Sequence, residues 1–216
     1  MARSRLRGLI AAAAITVLSL TACSTGPADS GIANSGIADS GIADSGPAAT
    51  SGSSASADAD AFPVTIEHAF GETTLTEKPE RVATVSWVNA DVSLALGVVP
   101  VGLPADTYGG NENQSTPWKD AKLEELGAAI GSENSPVQYS ETDGIAFEDI
   151  AATDPDVILA AYSGLSQEDY DTLSKIAPVV AYPEVAYGTA WQDSTRIIGE
   201  ALGLPDDAEQ LVTETE

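Results

Sequence analysis

From Phe62 onward, apolar and polar residues fall into short blocks that read as strands alternating with helices. Val64-Thr-Ile-Glu-His68 and Glu72-Thr-Thr-Leu75 flank Phe70-Gly71, a spacing that predicts a small hairpin. Pro79 then precedes Arg81-Val-Ala-Thr-Val85, an apolar run suited to a buried strand. Asn89 is placed to cap a helix through Leu96, with Val92, Ala95 and Leu96 on one face and Gly97 as its stop. Val98-Val99-Pro100-Val101 resumes extended structure, and a Gly-rich stretch then opens a long middle loop.

The alternation returns at Phe147–Ala152, a helix that ends before Asp154-Pro155, and at Val157-Ile-Leu-Ala160, a continuous apolar strand. Ser166 caps the next helix, with Glu168 and Asp169 in its first turn, where the helix dipole favours acids. Tyr170, Leu173 and Ile176 share its face, Pro178 closes it, and Val179-Val180-Ala181 is another buried strand. Trp191, Thr195, Ile198 and Leu202 make a further helical face before Gly203-Leu-Pro205, and an acid-capped helix starts at Asp206-Asp207. Strands that are apolar throughout are buried on both faces. The fold class expected is therefore α/β, a parallel sheet flanked by helices. Ligands of such sheets sit beyond the carboxyl ends of the strands.

The first 61 residues follow another pattern. Arg3, Arg5 and Arg7 precede an apolar core from Leu9 to Leu20, too short to span a bilayer, and the run ends in Leu20-Thr21-Ala22-Cys23. This ending resembles the lipobox of bacterial lipoproteins, which implies a signal peptide over residues 1–22, lipidation of Cys23 and an anchor on the outer face of the cell membrane. Residues 23–61 hold the repeats Ser30-Gly-Ile-Ala-Asn34, Ser35-Gly-Ile-Ala-Asp39 and Ser40-Gly-Ile-Ala-Asp44, and their Ser, Gly, Ala and Asp content reads as a disordered tether.

Charge narrows the function classes. Without residues 1–22, six Lys and Arg face 33 Asp and Glu, a formal charge of −27 that repels nucleic acid and anionic headgroups. One cysteine excludes a disulfide scaffold, and one histidine, His68, leaves too few soft ligands for a transition-metal site. No G-x-S-x-G elbow, P-loop or G-x-G-x-x-G follows a strand, so no catalytic residue, metal or intrinsic cofactor is read and an enzyme is not expected.

Three fragments in order carry a family likeness. Lys78-Pro79-Glu80-Arg81-Val82 is similar to the P-x-R-V opening of periplasmic siderophore and cobalamin binding proteins. Leu96-Gly97-Val98-Val99-Pro100-Val101-Gly102 matches their LG-x-x-PVG segment, and Glu148 to Ile158 resembles their E-x-I-x-x-x-x-P-D-x-I segment. Tyr162-Ser163-Gly164-Leu165 and Ile176-Ala177-Pro178-Val179 narrow the resemblance to the iron–siderophore lipoproteins of high-GC Gram-positive bacteria. The resemblance implies a two-lobed fold with a linking helix and a ligand clamped between the lobes. Residues 62–204 then correspond to the N-terminal lobe and 205–216 to the start of the interlobe helix, with the second lobe absent. It further implies a monomeric extracytoplasmic component of an ABC importer that captures a ferric siderophore and hands it to a membrane permease. Haem or cobalamin is the alternative ligand within the family. Outside it stand a bare metal carrier, which one histidine disfavours, and a surface lipoprotein that binds nothing.

Strand-end residues of the lobe would line the cleft. Trp87 follows the first sheet strand, Tyr108 lies in the loop after Val101, and Tyr162 and Ser163 follow Val157–Ala160. Trp118, Tyr139 and Tyr187 are further candidates from loops. Aromatic faces suit a bulky chelate and hydroxyls suit its oxygens. No Arg pair faces the cleft, since Arg81 precedes a strand and Arg196 lies mid-helix, both structural positions. By the same resemblance Glu148, near a helix N-terminus, is the residue that would dock onto permease arginines.

Overall fold

The computed structural model describes residues 61–216; the signal peptide expected over residues 1–22, Cys23, and all but the last residue of the tether expected over 23–61 lie outside the described residues. β1 (Val64–His68) and β2 (Gly71–Leu75) pair antiparallel as the expected hairpin, Val64 opposite Leu75. The sheet proper is β3 (Val82–Thr84), β4 (Gly102–Pro104), β5 (Val137–Tyr139), β6 (Val157–Ala160) and β7 (Val179–Ala181). Between and after these strands run α1 (Asn89–Ala95), α2 (Pro117–Glu125), α3 (Phe147–Ala152), α4 (Gln167–Leu173), α5 (Trp191–Ala201) and α6 (Pro205–Thr215). All pairings are parallel and the strand order is β5-β4-β3-β6-β7. The chain thus winds outward from β3 to β5, returns to the other side of β3, and winds outward again. The switch point is the crevice between β3 and β6 at their carboxyl ends, here called the exit edge.

Alternate residues of the central strands serve two cores. Val82, Val157, Leu159 and Val180 face Ile66 and Leu75 of the hairpin, Ile198 and Ala201 of α5, and Ala208 of α6. Ala83, Ile158, Ala160, Val179 and Ala181 face Ile150 of α3, Leu173 of α4 and Tyr182. With no solvent face, the strands have no polar alternation to show.

His68 shows why a lone histidine need not be a ligand. The Thr73 hydroxyl donates to Val179 O (2.7 Å), so at 3.0 Å from His68 Nε2 it accepts, and Nδ1 accepts from Phe70 N (3.2 Å). Both partners demand the neutral Nε2–H imidazole, and burial pushes its pKa below the ordinary value.

Several expectations need correction. The middle loop holds α2 and β5. In α2 the one fully buried apolar side chain is Leu123, so no apolar stripe marks the helix, although Thr116 caps it and Pro117 opens it. The strand expected at Val98–Val101 begins instead at Gly102. Val98 is held back against α1, its N–H donating to Ser93 O (2.9 Å) and its carbonyl accepting from Ser93 Oγ (2.9 Å). In α1 the most deeply buried apolar side chain is Leu94, not Val92 or Ala95. Thr195 and Ile198 of α5 and Leu202 just after it are buried, but Trp191 in the first turn is 42% exposed.

The family motifs lie at the entry edge and hold the sheet. The Asp156 carboxylate accepts from Glu80 N (2.8 Å) and Arg81 N (3.0 Å). In return the Arg81 guanidinium donates to Asp154 O (2.6 Å) and to Thr153 O. Two motifs far apart in sequence therefore clip β3 to β6. Gly102 is required by close packing, because a Cβ there would lie 2.8 Å from Tyr139 Cε1 and 2.9 Å from Thr153 Cγ2.

Candidate functional site

Loops leaving the exit edge build the site. The turn after β3 places Ser86 and Val88 at φ +59° and +60° around Trp87. A β-branched valine in the left-handed region is strained, and such strain persists only where neighbours over-determine it. The determinant here is Asn89. Its side-chain Nδ2 donates to Val85 O (2.6 Å), Trp87 O (3.2 Å) and Tyr162 O (2.9 Å), while Oδ1 accepts from Tyr162 N (3.0 Å). The residue is fully buried in the first turn of α1. This corrects the expected role: Asn89 makes no cap bond, Val88 occupies the cap position, and the amide cross-links the two strand-end loops that flank the switch point.

Trp87 is thereby presented to solvent, 68% exposed. Across the crevice Tyr162 meets Tyr187 edge to face, ring centroids 5.7 Å apart at 62°. Tyr187 comes from the loop after β7. Its N–H donates to Ser163 O (2.8 Å), and its ring lies so close over Gly164 that a Cβ there would be 2.2 Å from Cε2. Ser163 itself is buried and its hydroxyl donates to Ala160 O (2.8 Å), so its side chain holds the turn and does not face the crevice. Tyr139 is likewise removed from the candidates. It is buried and donates to Thr84 O, the phenol filling space under the β3 end.

Glu141, which no motif marks, enters the site from the loop after β5. Its Oε2 accepts from Ser86 N (2.9 Å), beside Trp87, and its buried Oε1 has no hydrogen-bond partner among the described residues. Burial pushes this carboxyl up to about 7.

Tyr108 and Trp118 belong to a separate group on the β4 side of the same edge, 93% and 48% exposed. Trp118 lies in the first turn of α2, not in a loop, and α2 holds the Tyr108 loop through buried Lys119, whose Nζ lies 2.8 Å from Asp106 Oδ2 and 3.7 Å from Asp91 Oδ1, and through Asp120, which accepts from Asn111 (2.7 Å) and Asn113 (2.9 Å). Burial pushes the Asp91 carboxyl up, against the pull of Lys119. Glu148 stands exposed in the first turn of α3.

Of the residues singled out in the sequence, Trp87 and Tyr162 lie at the exit edge, with Tyr187 packed on Tyr162; Asn89, Glu141 and Lys119, whose contacts organise these loops, were not among the site candidates. Asn89 was visible as a polar residue two places after a tryptophan at a strand end. Glu141 carried no signal in a chain with 33 acids. Chemically, the edge offers exposed aromatic faces to a bulky ligand.

Known proteins resemble this arrangement. The profile of the periplasmic binding protein family matches residues 82–216. A crystal structure of PiaA from Streptococcus pneumoniae TIGR4 in complex with ferrichrome is 45% identical and covers 70% of this chain and 48% of that one, with a TM-score of 0.66. A periplasmic solute-binding protein from Mycobacterium smegmatis is 34% identical over 70% of this chain and 50% of its own, TM-score 0.61. YhfQ of Bacillus subtilis, named as an ABC transporter substrate-binding lipoprotein, is 29% identical over 170 residues, 77% of this chain and 48% of its own. The chain spans about half the length of these relatives.

Proposed function

The chain belongs to the periplasmic binding protein family, whose members are solute-binding transport proteins, and on that footing we propose that it captures a ferric siderophore outside the cell membrane and delivers it to an ABC permease. One observation carries this reading. The crevice between β3 and β6, where a doubly wound sheet receives its ligand, is flanked by Trp87 on one side and the Tyr162–Tyr187 pair on the other, joined through Asn89. Likeness to a ferrichrome-bound protein supports the choice of ligand class.

In this reading residues 62–204 act as the first lobe and α6 begins the connecting helix, as in the iron–siderophore lipoproteins of high-GC Gram-positive bacteria. Cys23 carries the lipid, residues 23–61 give the monomeric domain reach, and exposed Glu148 meets the permease. Trp87 and the tyrosines stack on the chelate, with Tyr108 and Trp118 extending the same face.

The test is a fluorescence titration of the lipid-free chain. Trp87, Trp118 and Trp191 are all exposed on elements that begin at the exit edge, at 68%, 48% and 42%, and so report on ligand. Saturable quenching by a ferric siderophore is expected, and Trp87→Ala should weaken it. No response to hydroxamate or catecholate chelates, from a chain shown by circular dichroism to be folded, overturns the reading.

A further inference from the structure

The exit edge presents carboxylates together with its aromatic rings, and the chain has few enough cations that each can be placed. Apart from Arg3, Arg5 and Arg7 there are six. Lys78 and Arg81 precede β3 and Lys175 precedes β7, all where strands enter the sheet, and Arg81 is bound to backbone carbonyls. Lys122 meets Glu125 Oε1 at 2.9 Å, and Arg196 meets Glu209 at 2.7 Å and Asp193 at 3.4 Å. Of these, Arg196 stands on α5 beside the exit-edge loop after β7, already held by its two carboxylates. Lys119, in the first turn of α2, is buried between Asp106 and Asp91, two carboxylates for one ammonium. Against this, Glu112, Asp143 and Glu184 are exposed on loops leaving the same edge. Among the described residues no uncommitted cation faces the crevice.

This distribution selects among ferric chelates by charge. Three hydroxamate monoanions neutralise ferric iron, whereas three catecholate dianions leave a trianion. Bringing a trianion to a carboxylate-bearing face with no cation to receive it is unfavourable, and apolar aromatic faces do nothing to offset that. We propose that this face accepts a ferric chelate without net negative charge, a tris-hydroxamate that is neutral or cationic, and discriminates against tris-catecholate and polycarboxylate chelates. The inference rests on the siderophore reading above and specifies its substrate class.

The experiment varies charge on one scaffold. A linear ferric tris-hydroxamate with a terminal amine, its N-acetyl derivative and its N-succinyl derivative differ in charge at a single end and hardly in shape. Titrated into the full chain at low ionic strength, with a ferric tris-catecholate alongside, they should bind in the order cation, neutral, anion. Steps of about two- to threefold per charge are expected, with the tris-catecholate at least about tenfold weaker and the gaps closing as salt is added. An N-succinyl form or a tris-catecholate that binds as tightly as the neutral form overturns the charge inference and leaves siderophore binding standing. Failure of every chelate to bind a folded chain overturns the siderophore reading, and the inference with it.

Discussion

The amide of Asn89 is the fixture on which the switch-point loops depend, and replacing it has a distinctive signature. Asn89→Ala deletes one acceptor and one donor that between them make four hydrogen bonds in a fully buried position. Tyr162 N–H loses its partner, and the carbonyls of Val85 and Tyr162 lose a donor. Each buried group left unsatisfied costs about 1–3 kcal/mol. Some water entry at the crevice mouth offsets part of that, so the expected loss is about 2–4 kcal/mol, a large part of a typical domain's stability. Asn89→Asp separates hydrogen bonding from volume. The new carboxylate can still accept from Tyr162 N, but where Nδ2 donated, an anionic oxygen now faces three carbonyls. At neutral pH this variant should be at least as unstable as Asn89→Ala. Protonation restores one donor, so its folded pKa lies above the unfolded value of about 3.9. Its stability relative to wild type is therefore highest below that value and falls as the pH rises through the folded pKa. Urea denaturation followed by far-ultraviolet circular dichroism, at several pH values, reads both effects. A loss below about 1 kcal/mol for the alanine variant, or an aspartate variant with no pH-dependent deficit, refutes the assignment of Asn89 as the cross-link.

Other outcomes are expected. His68 is held neutral and burial lowers its pKa, while the unfolded chain takes up the proton near 6.5, so this residue's contribution is complete above that pH and is lost as the pH falls below it. An imidazole resonance titrating at or above 6.5 in the native protein would contradict this. Glu141 behaves in the opposite sense: its carboxyl is raised from 4.5 to about 7, so native stability falls as the pH rises through that window. Glu141→Gln keeps an acceptor for Ser86 N and should gain about 2–3 kcal/mol above the window and little below it, and equal gains at both ends would remove ionisation as the cause. Glu148→Ala should impair cellular uptake of the chelate and leave affinity in solution unchanged; intact uptake would exclude Glu148 from permease docking.

Much of the architecture could be read from residues that act locally. Phe147–Ala152, Val157–Ala160 and Val179–Ala181 are found where their apolar runs and turn residues put them, and Ser166 with Asp169 forms the capping box. Elements stabilised by little apolar burial of their own escaped notice. α2 exposes most of its surface, and β5 is a three-residue edge strand whose register comes from β4. At the candidate site the residues that sequence singles out and the structure places at the exit edge are those whose chemistry is unusual wherever it occurs, Trp87 and Tyr162. Asn89, Glu141 and Lys119 matter because of what stands beside them in space. Asn89 and Tyr162 are 73 positions apart, and a polar residue after a strand looks the same in sequence whether it caps a helix or ties two loops. Ser163 is the converse: a hydroxyl at a strand end suggests ligand contact, but the tight turn directs it inward.

The hairpin and the last two helices seal the same face of the sheet, and this bears on when the molecule can fold. Ile66 and Leu75 share one core with Ile198 and Ala208, and the central strand pairs Val82 with Val157. Neither the β3–β6 pairing nor that core forms from neighbouring residues, so most of the loop-closure entropy is spent before most of the burial is gained. A chain wound this way folds slowly and cannot complete its first core until residue 208 is free to join it. Until then it stays pliable, and it acquires its final form only after nearly all of the described length is available to pack.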